Sequence, residues 1–251
     1  MKSLILVLPV LFLVGCGSEL DSEGAPALAG PAFVEEPNQP LSNEPAEALP
    51  EDTPPVAEES FVAEVEHPWF PLRPGTHWTY EGEAAGSHRR DEVRVLPQTR
   101  VIANVTCTAV HQEVFLDGEL SEVTTEWFAQ DGDGSVWKFG EETAELDGGV
   151  FVATGDSWVA GEDGAVSWMF LAADPHVGDR YVGYRPDGQE MVVIVSLAET
   201  ATVPAGVFEN CLEAEENPDD IEDKDIILFA PGVGLVSESS QAGRIDLVSF
   251  R

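Results

Sequence analysis

The sequence predicts a mainly β protein: a large curved antiparallel sheet or partly closed barrel, set behind an export signal and an acidic tether. Three observations carry this. No long stretch repeats its apolar residues with the helical period. Short alternating runs are instead separated by Asp-Gly and Pro-Gly turn pairs. The third is a sharp change of composition near residue 66.

The amino terminus reads MKSLILVLPVLFLVGCGSE, with Lys2 ahead of an apolar stretch from Leu4 to Val14. A membrane helix needs about 20 apolar residues, so this run is an export signal rather than a span. It ends in Leu13-Val14-Gly15-Cys16, which resembles a bacterial lipobox. The resemblance implies cleavage after residue 15 and diacylglycerol or palmitate on Cys16, with two or more chains making a stable anchor. Gly17, rather than Asp, follows the cysteine. By analogy with enteric lipoproteins the expected address is the outer membrane of a bacterial cell envelope.

Removing residues 1–15 removes one cation and no acid, leaving 11 basic against 47 acidic residues, near −36. Such a charge argues against nucleic acid and against adsorption on anionic lipid. Residues 17–66 hold thirteen acidic residues, no Lys or Arg, and many Pro and Ala. That composition buries too little to offset chain entropy, so residues 16–66 are expected to be a disordered tether.

Residues 67–251 are expected to form one domain, large enough for a full core. In SEVTTEWFA, Val123, Thr125, Trp127 and Ala129 share one face, and Glu122, Thr124, Glu126 and Phe128 the other. DGDG turns the chain into SVWKFGE, making a hairpin. Asp117-Gly118 and Asp187-Gly188 predict two more, and Pro231-Gly232 breaks DIILFAPGVGLVSE into two strands. Nine to twelve strands follow, with Trp78, Tyr80, Trp127, Trp137, Phe139, Val193 and Val195 expected on or near the concave side.

The segments PGTHWTYEG, DGELSEVTTEWFAQDGDGSVWKFGEET, SWVAGEDGA, VPAGVFENCLEAE and FAPGVGLVSE resemble a family of uncharacterised bacterial secreted and lipoprotein domains. The closing APGVGLV element is similar to one in wider groups of periplasmic domains, some of which resemble lipoprotein carriers that wrap a curved sheet around a lipid cavity. Phe229 stands where Tyr is more usual. The resemblance covers most of residues 68–239 and implies a fold; it brings no catalytic residues.

Candidate chemistry is sparse. Cys107 and Cys211 are the two thiols left after lipidation; in an oxidising compartment the expectation is a disulfide, the alternative two separate buried thiols. Asp131, Asp133 and Glu142 sit at calcium-loop positions one, three and twelve, but Val136 replaces the required Gly. A hairpin turn is the expected reading, with no metal and no cofactor. Histidines 67, 77, 88, 111 and 176 show no ligand spacing. Six tryptophans suggest carbohydrate binding but suit a core, Trp69 being the expected exception. No nucleophile elbow, phosphate loop or dinucleotide fingerprint occurs. The expected role is a non-enzymatic lipoprotein domain binding an apolar ligand or an envelope protein partner. The alternative is a carboxylate-dependent envelope hydrolase, marked by two converging carboxylates in a pocket.

Overall fold

The computed structural model describes residues 61–251 except 156, 186–187 and 219–223. The expected lipid attachment at Cys16 and the tether up to residue 60 lie outside the described residues. The described chain is all-β. A two-strand hairpin, β1 (Val65–His67) and β2 (Phe70–Leu72), precedes one large antiparallel sheet. Val62 already pairs with Gln130, so the folded part begins ahead of the expected boundary at residue 67.

The sheet contains β3 (His77–Ala84), β4 (Ser87–Ile102), β5 (Val105–Leu116), β6 (Glu119–Gln130), β7 (Val136–Asp147), β8 (Val150–Ala153), β9 (Trp158–Val159) and β10 (Trp168–Leu171). It continues with β11 (Arg180–Arg185), β12 (Gly188–Val203), β13 (Gly206–Glu216), β14 (Asp225–Ala230), β15 (Gly234–Ser240) and β16 (Gly243–Phe250). These exceed the nine to twelve expected strands. Short β8 and β9 both pair with β7, beside the main path.

Strand order along that path is β10-β7-β6-β5-β4-β3-β16-β15-β14-β13-β12-β11. Chain neighbours therefore pair almost throughout, as tight hairpins require. The first and last strands of the chain's circuit, β3 and β16, meet in register from Trp78↔Phe250 to Ala84↔Gly243. Asp117 and Gly118 both take left-handed conformations, φ 50° and 89°, the twist of a two-residue hairpin turn.

The sheet is not closed by hydrogen bonds, but it curls until its end strands β10 and β11 lie side by side. A side chain bridges them. A Cβ on Gly183 of β11 would stand 2.7 Å from the Trp168 ring of β10, so only glycine leaves that ring its seat. Gly183→Ala is expected to cost about 1–3 kcal/mol by overpacking; an unchanged urea midpoint would contradict this contact.

One end of the interior is apolar and plugged by the β1–β2 hairpin. Phe70 is buried, with ring centroids 5.0 Å from Phe128, 4.8 Å from Phe170 and 5.9 Å from Phe229. Pro68 O accepts a hydrogen bond from Gly232 N at 2.7 Å, tying the plug to the β14–β15 turn. Trp78 and Tyr80 face this interior as expected, donating to Val233 O and Leu235 O.

Other expected concave residues do not. Trp137 and Phe139 are buried against Phe61, whereas Lys138 between them reaches Glu126 and Glu141. Trp127 is covered by the Arg100 guanidinium, 4.4 Å from its ring. Val195 is exposed and Val193 half-buried, while their neighbours Val192 and Ile194 are buried. Bulges, such as the one that leaves Phe139 unpaired between Phe128↔Lys138 and Trp127↔Gly140, reset which residues face inward.

Candidate functional site

The other end of the interior is built from charge. Its side chains come from strands on both sides of the curved sheet, all pointing into the space the curl encloses. From β4, Arg89 donates Nε to Asp91 Oδ1 at 2.9 Å and a second nitrogen to Oδ2 at 3.0 Å. Gln112 of β5 adds a bond to Asp91 at 2.8 Å. Glu126 of β6 and Glu141 of β7 lie directly opposite in register. Lys138 bridges them at 2.5 and 2.7 Å, and all three side chains are at most 3% exposed. The hydroxyls of Thr124 and Thr143 complete this wall, 3.0 Å apart.

The facing wall brings Glu190 of β12, Glu216 of β13, Asp225 of β14 and Glu238 of β15, all buried. Among the described residues, no donor reaches either oxygen of Glu216, Oε2 of Glu238, or Oε1 of Glu122 on β6. Burying an ionised carboxylate without partners is costly, so such groups hold protons instead. Burial pushes the Glu122 carboxyl up to about 8; Arg89 opposes this, and Glu145, Asp91 and Glu141 reinforce it. Glu238 is held well above the ordinary carboxyl value by burial and then by Asp225. Glu216 is raised well above the ordinary carboxyl value by burial first and then by the neighbouring Glu190 carboxyl.

Sequence reasoning placed none of these groups at a site. The usable signal was the polar face Glu122-Thr124-Glu126, assigned above but not recognised as internal.

The predicted cysteine bridge is corrected. Cys107 and Cys211 are separate buried thiols. Cys107 on β5 donates to Val105 O, and Cys211 on β13 donates to Phe208 O. Five strands of the sheet path separate β5 from β13, so strand pairing never juxtaposes them as a bridge requires. Burial pushes the Cys107 thiol up to about 12, leaving little reactive thiolate. Both thiols are therefore expected to resist alkylation in the folded domain and to label fully in denaturant without reductant. A Cys107–Cys211 peptide in the unreduced protein would overturn this.

The calcium-loop residues also separate. Asp131 Oδ1 accepts from the backbone N–H of Asp133, Gly134 and Ser135, and Oδ2 accepts from Trp137 Nε1. Asp131 thus caps the hairpin turn. Glu142 instead pairs with Arg100 at 2.8 Å. Among the described residues no group of three or more His, Cys, Asp or Glu is arranged to hold a metal ion. The histidines stay scattered: His67 is buried and bonded to Ala172 O, His77 pairs with Glu92, and His111 meets Thr125. Trp69, the expected exception, is half-buried and donates to Asn210 O.

Three hollows bear on ligand binding. One beside the aromatic plug, lined by Phe70, Leu72, Trp78 and Tyr80, encloses about 10 Å³. One at the charged end, lined by Arg89, Asp225, Glu238 and Ser240, encloses about 30 Å³. The third, about 160 Å³, lies on β7 and β9 among Glu142, Ser157, Trp158, Glu162 and Asp163.

Near the third hollow, the β7–β8 hairpin carries a cluster of exposed apolar side chains. Val150, Phe151 and Val152 are 66%, 43% and 52% exposed, and Leu146 across the ladder is 38% exposed. Among the described residues β8 pairs only with β7, leaving its other edge open. Among the described residues, no helix is long and apolar enough to cross a membrane. Comparison with protein-family models, curated proteins and solved structures gives no match.

Proposed function

We propose that this chain is a lipid-anchored protein of the bacterial envelope whose β domain is a non-enzymatic module that docks a protein partner along β8. One observation carries the docking reading: Val150–Ala153 is an open edge strand with all four side chains exposed and none charged. Such an edge pairs readily with an added strand. Glu142, Glu162 and Asp163 in the adjoining hollow favour a partner segment with basic side chains. The anchor rests on Leu13-Val14-Gly15-Cys16. The filled apolar end argues against an interior acyl ligand, because about 10 Å³ holds no more than a single water.

A photocrosslinking residue at Phe151, placed in cells, tests the docking. A discrete protein adduct is expected there, absent from the same residue at exposed Val101 and lost with Val150→Asp. Equal labelling at both positions would refute it. Cys16→Ala is expected to move the chain from membrane to soluble fractions; retention in the membrane would refute the anchor.

The hydrolase reading is favoured by one observation, the convergence of Asp225 and buried Glu238 on one hollow. Its volume of about 30 Å³ admits about two waters rather than a sugar or peptide. Hydrolysis of chromogenic glycosides or peptides that disappears with Glu238→Gln would revive that reading.

A further inference from the structure

We propose that the charged end of the interior is a proton-binding site that holds the sheet closed in mild acid and loosens it as the pH rises. The inference is independent of the docking reading. It begins from the pairing of charges. The guanidinium of Arg89 is engaged by Asp91, and the ammonium of Lys138 by Glu126 and Glu141. Glu122, Glu216 and Glu238 are buried as deeply, and oxygens of all three lack a donor among the described residues. They do not stand alone. Asp91 and Arg89 of β4 and Glu141 and Glu145 of β7 act on Glu122. Asp225 of β14, Arg89 and Asp91 of β4, and Glu126 of β6 act on Glu238. Glu190 of β12, Asp225 of β14 and Glu238 of β15 act on Glu216. The Tyr80 hydroxyl of β3 feels Asp91 and Glu238 across the same space. Glu238 thus faces carboxyls across the curl, Glu122 and Glu216 face carboxyls of their own wall, and a proton is the smallest cation that relieves them without needing a coordination shell.

The hollow lined by Arg89, Asp225 and Glu238 is the route of exchange. It lies between the β3–β4 and β15–β16 turns, touching Ala84, Ala85, Ala242 and Gly243. Deprotonation places repelling charges beneath those two turns, which are expected to open first.

The direction with pH follows from linkage. A carboxyl that stays protonated in the fold but ionises in the unfolded chain favours folding fully below its ordinary value. That advantage is lost as the pH rises through the folded value. For Glu122 the window runs from 4.5 to about 8. Across it, the folding equilibrium constant is expected to fall about tenfold per pH unit from this group alone.

Urea unfolding of the mature chain between about pH 5 and pH 9 tests this. The expected result is a stability that declines across the range, with Glu122→Gln and Glu216→Gln each shallower by up to tenfold per pH unit. Hydrogen exchange is expected to accelerate first at residues 84–87 and 240–243. If either variant fails to fold, the infrared carboxylic-acid C=O band of the wild type at neutral pH decides, and its presence is expected. A wild-type stability flat with pH, variants that keep the wild-type slope, or absence of that band would each overturn the proposal.

Discussion

Phe70→Ala is expected to destabilise the domain by about 3–5 kcal/mol, among the largest effects available to a single apolar truncation. Phe70 is 2% exposed and meets Phe128, Phe170 and Phe229 edge-on or tilted. These rings come from β2, β6, β10 and β14, so one side chain joins the plug to both halves of the sheet. The surrounding rings are held by their own strands and cannot collapse fully into the space, which adds a cavity penalty to the lost burial. Urea unfolding gives the test. Phe70→Leu, which refills much of the volume, is expected to recover more than half of the loss. A Phe70→Ala midpoint within error of wild type would show that the plug is dispensable.

Lys138→Met is expected to cost a similar amount, about 3–5 kcal/mol at neutral pH, because it strands two buried carboxylates opposite each other. Burial alone would lower the Lys138 pKa, but Glu126, Glu141 and Glu190 outweigh it and raise it. The cation's own contribution is therefore complete below the ordinary lysine value and lost only in strong alkali. The variant should behave differently: its deficit shrinks toward acid, where a proton on either carboxyl removes the repulsion. Adding Glu126→Gln and Glu141→Gln to Lys138→Met is expected to recover stability, since neutral groups of the same shape replace the stranded charges. A deficit independent of pH, or a triple variant no better than the single one, would show that lost packing rather than stranded charge is responsible.

Both effects depend on knowing which face of each strand is internal, and there the sequence was least informative. Alternation separated Glu122, Thr124, Glu126 and Phe128 from Val123, Thr125, Trp127 and Ala129. It did not say that the glutamate face is the interior. Apolar content favoured the tryptophan face, yet Trp127 lies under Arg100 and Glu126 inside with Lys138. The carboxylates are internal because strands far apart along the sheet, β4, β6 and β7 on one wall and β12–β15 on the other, supply their neighbours once the sheet curls. No local pattern encodes that meeting. The cysteine pairing failed for the same reason, since residence on strands says nothing about which strands become neighbours.

What the chain order determined alone were the features with local causes. The absence of helical periodicity and the Asp-Gly and Pro-Gly pairs specified an antiparallel all-β chain, because turn geometry and side-chain alternation act over two to four residues. The Asp131–Ser135 turn was readable because one aspartate caps its own backbone. The curved sheet was legible too, because so many sequential strands must curl; tertiary structure alone decided the Trp168–Gly183 seam, the aromatic plug and the charged interior. Each of these joins residues from strands that do not pair directly, and only the curling of the sheet brings them within contact.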